Sequence, residues 1–364
     1  MEVGRLGIIG TGLIGASVGL AAKRAGVAHV AGFDFSGETL QVACERGAID
    51  EARDVPGDLG DADLIVVAVP VTALHTVVRD LLDGGAQATV TDVGSTKSNV
   101  SGALGDPRFV GGHPVTGSEA HGPAHATADL FDGATWFLTP SSATEPQRYR
   151  LVHGFVSALG ATPVAIDPQA QDRLVALTSH LPHALANLLV NQAGATRVEG
   201  HEPLAAAGGS LRDMTRVAGA NPRIWVDIFL DNRTALLDGL RDHSRRVDDL
   251  TRALEREDAG FVARWIAEAS GHRRRLLEVA YPATPEDLYR VRVHVPDRPG
   301  VLSGITQALG AEGINIEDFE LHHVSADRGG TVVVTIAGHA EAVRAVALLD
   351  AQGYGAIAAP AVDE

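Results

Sequence analysis

The run Gly111-Gly112-His113-Pro114-Val115-Thr116-Gly117-Ser118-Glu119 sets a single histidine among glycines and small polar residues. It follows the short apolar segment Arg108-Phe109-Val110. An α/β enzyme presents a reactive side chain in this way, in a loop at the carboxyl edge of its sheet. A neutral imidazole there can take up a proton in the physiological range. A glycine loop lies upstream and a helical segment with two further histidines lies downstream. Together they point to a nicotinamide-dependent dehydrogenase with a histidine at the reacting carbon. Taken alone, His113 as a loop residue of no consequence is the lesser alternative.

The upstream loop is Gly10-Thr11-Gly12-Leu13-Ile14-Gly15, after a strand-like segment and before a helical one. The first glycine permits a tight turn, the second lets backbone approach a pyrophosphate, and the third allows close packing of helix on strand. Phosphate would then sit on free amides at the helix N-terminus. Asp34 closes the second strand at about the ~20-residue offset expected of a ribose-binding carboxylate. The following Phe35-Ser36-Gly37 supplies no arginine for a 2′-phosphate, so NAD is expected over NADP.

Three further groups could line a cleft. Asp92-Val93-Gly94-Ser95-Thr96-Lys97 precedes a helix, and Ser95 is either its N-cap or a group facing the cleft; on this motif alone the cap fits better. Ser179-His180-Leu181-Pro182-His183 places two histidines three apart on nearly one helical face. A zinc pair would need a third ligand, and no His-Glu-x-x-His pattern or cysteine partner supplies one, so no metal is expected. Arg212 and Arg216 lie four apart, also on one helical face. They form either a solvated face paired with Asp213 or a planar fork for a substrate carboxylate.

The elements that must position these groups fall into three regions. Residues 1–166 alternate apolar strands with helices: Arg5–Gly10, His29–Asp34, Asp63–Pro70 and Ala88–Asp92, with more strands at Phe109-Val110, Thr135–Leu138 and Pro163–Ile166. This predicts a Rossmann-type, doubly wound parallel sheet. Residues 167–282 read as an all-helical substrate and dimerisation domain, with long amphipathic stretches at 169–198 and 224–254. A turn-rich linker, Tyr281-Pro282-Ala283-Thr284-Pro285-Glu286, leads to residues 288–364. There the strands fall at 288–295, 314–321, 330–336 and 356–359, with helices at 301–309 and 341–349. That order, βαββαβ, is ferredoxin-like.

The bulk properties agree. The 364 residues are 45% hydrophobic, enough for a large core, and the net charge of −16 argues against nucleic acid or an anionic membrane as partner. No apolar run is long enough to span a bilayer. The lone Cys44 cannot form an internal disulfide, and Met1–Arg5 runs directly into a strand-like segment without a leader, so a cytoplasmic location is expected. Lysine occurs only at Lys23 and Lys97.

In this order, the glycine loop, the Asp92–Lys97 motif, the Gly112–Glu119 motif, the Ser179–His183 motif and the run from Arg212 to Trp225 resemble the prephenate/arogenate dehydrogenase family. The resemblance covers nearly all of the first two regions. It implies NAD-dependent oxidative decarboxylation of prephenate to 4-hydroxyphenylpyruvate in tyrosine biosynthesis, or of arogenate as the alternative. His113 would accept a hydrogen bond from the reacting hydroxyl, with Ser95 positioning it. Arg216 would grip a substrate carboxylate, His183 and Arg212 would help to bind or orient substrate, and Glu119 would gate or organise the site. His180 would contact the cofactor side or fix its helix.

The third region resembles an ACT domain through Val295–Leu302 and Gly313–Ile316. Such domains commonly pair and bind amino acids at their interface. The resemblance implies tyrosine as effector near Asp297, Arg298, Gly300 and Asn315; a pairing module without ligand is the plainer reading. A homodimer is expected from the helical region, whose apolar faces are more extensive than one solvated layer needs. A β-hydroxyacid dehydrogenase is disfavoured because the helical region has no lysine. A sensor with an inert nucleotide domain is disfavoured by the joint presence of Ser95, His113 and Arg216. No mutase segment is expected ahead of the glycine loop.

Overall fold

The computed structural model describes residues 2–116, 120–280, 288–325 and 329–361. The chain forms two compact units, Met1–Ser244 and Arg245–Glu364.

The first unit opens with a Rossmann-like sheet. Its strands are β1 (Arg5–Ile9), β2 (His29–Phe33), β3 (Glu51–Ala52), β4 (Leu64–Val67), β5 (Thr89–Asp92), β6 (Phe109–Pro114), β7 (Thr135–Thr139) and β8 (Thr162–Ala165). Helices α1 (Leu13–Arg24), α2 (Gly37–Glu45), α3 (Val71–Asp83), α4 (Ser98–Leu104) and α5 (Pro146–Ala158) connect them. The spatial order is β3-β2-β1-β4-β5-β6-β7-β8. The chain reverses direction across the sheet between β1 and β4, and the glycine loop leaves β1 at that switch point.

Alternate residues of the central strands enter different cores. Ile8 and Val66 pack with α1 and α5, while Ile9 and Val67 pack with α3. All four residues of β4 are buried, as a strand covered on both faces requires.

The sheet is not wholly parallel. Strands β6 and β7 pair antiparallel, with His113 opposite Phe137 and Gly112 opposite Leu138. Thus His113 lies within a strand, not in a loop. The low strand propensity of Gly111 and Gly112 hides the continuation of the strand beyond Val110. Here the glycines are needed for close approach: a Cβ on Gly111 would lie 2.1 Å from Ser101 Oγ, and one on Gly112 would lie 2.5 Å from the Asp92 carbonyl oxygen.

The helical part of the first unit begins with α6 (Pro168–Val175), a π turn (Ala176–His180) and α7 (Leu181–Ala195). The wide turn directly precedes Pro182, whose ring and missing N–H disrupt ordinary helical bonding. After α8 (Gly209–Thr215) and a 3-10 turn (Arg216–Gly219) come α9 (Pro222–Asp231) and α10 (Arg233–Glu255), whose residues from Arg245 onward belong to the second unit. Arg212 and Arg216 therefore do not share one helix face. The α-helix ends at Thr215, and Arg216 opens the tighter turn. Between the two arginines Thr215 donates its hydroxyl back to the Leu211 carbonyl at 2.6 Å and takes φ −108°, which ends the α-helix there.

In the second unit, α11 (Ala259–Ala280) precedes β9 (Leu288–Val295), α12 (Val301–Ala311), β10 (Asp318–Ser325), β11 (Gly329–Ala337), α13 (His339–Ala351) and β12 (Gly355–Pro360). The four strands form an antiparallel sheet of order β10-β11-β9-β12. The second strand starts at Asp318, later than the apolar pattern from Ile314 indicated. Gly313 takes φ +71° and ends α12, and Ile314 is buried in the connection. The linker at 281–286 lies outside the described residues. Among the described residues no helix is long and apolar enough to cross a membrane.

Candidate active site

The glycine loop has the shape of a phosphate cradle. Gly10 takes φ +89°, and a Cβ there would lie 2.4 Å from the Ala68 carbonyl oxygen. A Cβ on Gly15 would lie 1.9 Å from the Gly10 carbonyl oxygen, so these two positions are closed to any side chain. At Gly12 the added carbon would meet nothing within 4 Å, which leaves the space a ligand would fill. Thr11 precedes Gly12, and Leu13 and Ile14 begin α1. No side chain caps α1, and no acidic residue occupies its first turn. Its amides therefore suit an anion.

Asp34 follows β2 and binds this loop. One oxygen accepts from the Thr11 amide at 2.7 Å, and the other accepts from the Ser36 amide at 2.9 Å. A carboxylate has lone pairs left for a ribose diol.

The segment after β5 carries the second part of the site. Asp92 is fully buried. It accepts from the amides of Gly94 (2.8 Å) and Gly112 (3.0 Å), and from Lys97 Nζ. Burial pushes the Asp92 carboxyl above its ordinary range, against the pull of Lys97 and the two amides. Lys97 is also fully buried, so the chain's second lysine is a structural cation under the site.

Ser95 is not the cap of α4. Lys97 holds that position without a side-chain cap. Asp172 of α6 caps the helix from outside, accepting from the amides of Lys97 (2.7 Å) and Ser98 (2.9 Å). A distant carboxylate satisfying two free helix amides leaves no signal in local sequence. The Ser95 hydroxyl is buried without a partner, while its carbonyl accepts from Gln171 Nε2 at 3.1 Å.

That amide nitrogen also lies 2.9 Å from His113 Nδ1. Burial drives the His113 imidazole down to about 3, with nearby Lys97 and His180 adding to the fall. His180, the last residue of the π turn, is likewise pushed down to about 4 by burial and by His183. Its Nδ1 faces Asn232 Nδ2 at 3.1 Å, and Asn232 also donates to the Asp172 carbonyl at 2.8 Å.

His183 differs in its hydrogen bonding. Its Nδ1 faces the Ser179 carbonyl at 2.9 Å. A carbonyl only accepts, so Nδ1 carries the proton and Nε2 the lone pair. The ring stacks on Trp225 with centroids 3.5 Å apart, and His180 meets the same indole edge-on at 6.0 Å. Burial and the positive charge of Arg216 lower the His183 value, which sets Arg216 within electrostatic range of this histidine.

The structure therefore gathers Lys97, His113, His180, His183 and Arg216 into an electrostatically linked series. Arg212 is exposed on α8 and donates to the Ala207 carbonyl at 3.3 Å. Glu119 lies outside the described residues. Gln171, Asp172 and Asn232 gave no signal in sequence; each acts through a pairing that joins separate elements.

In the second unit Asp297, Arg298 and Gly300 occupy the exposed β9–α12 turn, with Gly300 at φ +89°. Asn315, also exposed, donates to Glu317 at 2.8 Å.

Family models agree with this layout. Residues 18–165 match the prephenate dehydrogenase nucleotide-binding domain, 167–268 the prephenate dehydrogenase dimerization domain, and 289–349 the ACT domain. A prephenate dehydrogenase of Bacillus subtilis is 32% identical over 357 residues, spanning 95% of both chains. A crystal structure of prephenate dehydrogenase from A. aeolicus, in complex with hydroxyphenyl propionate and NAD+, superposes with a TM-score of 0.71 at 28% identity. It covers 76% of this chain and 99% of that one. Synechocystis arogenate dehydrogenase gives a TM-score of 0.67 at 29% identity, over 75% and 99% of the two chains. With a curated relative aligned along almost its whole length and all three regions matched, the chain belongs to the prephenate dehydrogenase family.

Proposed function

We propose that the protein is a prephenate dehydrogenase, converting prephenate to 4-hydroxyphenylpyruvate and carbon dioxide with reduction of NAD. The observation that carries this reading is His113: a buried, neutral imidazole held by Gln171, with His183 and Arg216 in the same electrostatic series. Gly10, Thr11, Gly12, Leu13, Ile14 and Gly15 would hold the cofactor's pyrophosphate and Asp34 its adenosine ribose. NAD supplies the hydride acceptor when bound. Hydride leaves ring carbon 4, the ring carboxylate departs as carbon dioxide, and its bonding pair aromatises the ring. The oxygen on carbon 4 ends as a phenol, so no proton is released overall.

His113 needs only to accept a hydrogen bond from that hydroxyl while the carbon–hydrogen bond breaks. Ser95, with its buried hydroxyl, helps to position the reacting groups. The planar guanidinium of Arg216 grips a substrate carboxylate, and His183, Arg212 and Glu119 bind or organise the substrate.

Following NADH formation with prephenate and with arogenate tests this. Turnover with prephenate is expected; turnover with arogenate alone would change the substrate and keep the ring chemistry. Silence with both would overturn the assignment.

The chain acts as a homodimer in this reading. Large apolar side chains of α7, α9 and α10, among them Leu188, Val226, Leu230 and Leu237, are exposed in the single chain. Tyrosine is the proposed effector of the ACT domain, and a cytoplasmic location suits the free thiol of Cys44.

A further inference from the structure

We propose that Gln171 is the positioning residue for His113, holding the ring and fixing its resting tautomer with the proton on Nε2. This rests on the reading of His113 as the group that meets the substrate's hydroxyl.

The Ser95 carbonyl fixes which way the Gln171 amide faces. That oxygen only accepts, and it lies 3.1 Å from one side-chain atom of Gln171. The atom must therefore be the amide nitrogen, because an oxygen there would face another oxygen. The same nitrogen lies 2.9 Å from His113 Nδ1. An amide NH2 has two hydrogens, one for each contact. Turning the amide over would lose the bond to Ser95 and leave a buried NH2 in the place of the buried, unpartnered oxygen. With Nδ1 accepting, a neutral imidazole carries its proton on Nε2.

The surroundings hold the ring neutral. The cation of Lys97 disfavours a second positive charge on His113, as His180 does once it is protonated, and the carboxylates nearby are engaged elsewhere, Asp92 by Lys97 and Asp172 by the amides at the start of α4. Gln171 is fully buried, so no water competes freely for its amide.

The consequence for the reaction is specific. The resting ring meets a hydroxyl as a donor at Nε2. Its acceptor lone pair, at Nδ1, is already engaged by Gln171. To find an acceptor on His113, the substrate's hydroxyl must displace that amide or drive the ring proton from Nε2 to Nδ1 against it. Gln171 thus orients the histidine and withholds its lone pair until substrate competes for it.

Nitrogen-15 NMR of histidine-labelled protein without substrate tests this, with the His113 signals assigned by their loss in His113→Asn. Wild type at neutral pH should show Nδ1 as an unprotonated acceptor and Nε2 as protonated. A protonated Nδ1 would overturn the proposal. In Gln171→Met, the Nδ1 resonance should move toward that of an acceptor with no hydrogen bond; an unchanged position would also overturn it. In Gln171→Glu, a carboxylate beside Nδ1 should reverse the tautomer and raise the imidazole's titration, and an unmoved tautomer would count against the proposal. The catalytic reading is judged separately by turnover of His113→Asn. Retained turnover would remove the role of His113 and leave the tautomer result standing.

Discussion

At the scale of single residues, the site is governed by charges denied to water. His113 lies under both burial and a nearby cation, which drive it from 6.5 to about 3. The model-compound value alone would set the acid limb of kcat/KM near ~6.5. The structure moves the limb due to His113 and His180 to about 4 and below. The expected profile of kcat/KM, which reports the free enzyme, shows no loss from these groups near 6.5. A fall centred at 6.5 that disappears in His113→Asn would contradict this.

Stability follows with a definite sign. Between 6.5 and about 3 the unfolded chain binds the proton that native His113 refuses. Native stability therefore declines as pH falls through that window. Melting temperature measured from pH 7 downward should drop more steeply in wild type than in His113→Asn, which has no imidazole to titrate.

Lys97 supplies a second test. Lys97→Met would strand a buried Asp92 without its cation, which typically costs about 3–5 kcal/mol. The loss should appear in denaturant unfolding as a lower midpoint. Stability close to wild type would mean that Asp92 takes up a proton and survives on its two amide bonds.

At the scale of elements, the glycine loop separates space needed by the fold from space left for a ligand. Gly15→Ala places a carbon against backbone, where overpacking costs about 1–3 kcal/mol or more. Gly12→Ala meets no protein atom. It should keep the melting temperature of wild type and raise the KM for NAD about tenfold or more, equivalent to ~1.4 kcal/mol of binding. A large thermal loss in Gly12→Ala, or an unchanged KM, would refute that division of roles.

These elements also show where sequence was informative. The glycine spacing, the buried strands and the paired histidines were readable because each is local and periodic. His113 is legible in the sequence, but its setting is not. Gly111 and Gly112 read as loop residues, although they let β6 approach Asp92 and β7. Ser95 read as a cap because the atoms that replace it come from Asp172, more than seventy positions away. Gln171 was unreadable for the same reason: its significance lies in two contacts to other elements. The break between Arg212 and Arg216 lies at Thr215, whose back-bonded hydroxyl and non-helical backbone a helical wheel ignores.

At the scale of the whole molecule, the open question is how an amino acid would act on a reaction carried out in the first unit. Tyrosine shares the hydroxyphenyl ring of the proposed product, so simple competition at the active site is one route to inhibition. The other route runs through the β9–α12 turn, where Asp297 and Gly300 lie, with Asn315 following α12. Regulation by that route requires tyrosine to favour one of two states, with a typical coupling of about 1–3 kcal/mol, or roughly 5–150-fold. The two routes separate in the full-length chain carrying Asp297→Ala and Asn315→Ala. Neither residue lies in the unit that holds His113, so kcat and the KM for prephenate without tyrosine should match wild type. The concentration of tyrosine giving half-inhibition should rise about tenfold or more if the ACT domain is the receptor. If it does not move, and inhibition stays strictly competitive with prephenate, tyrosine acts at the His113 site and the second unit has another role.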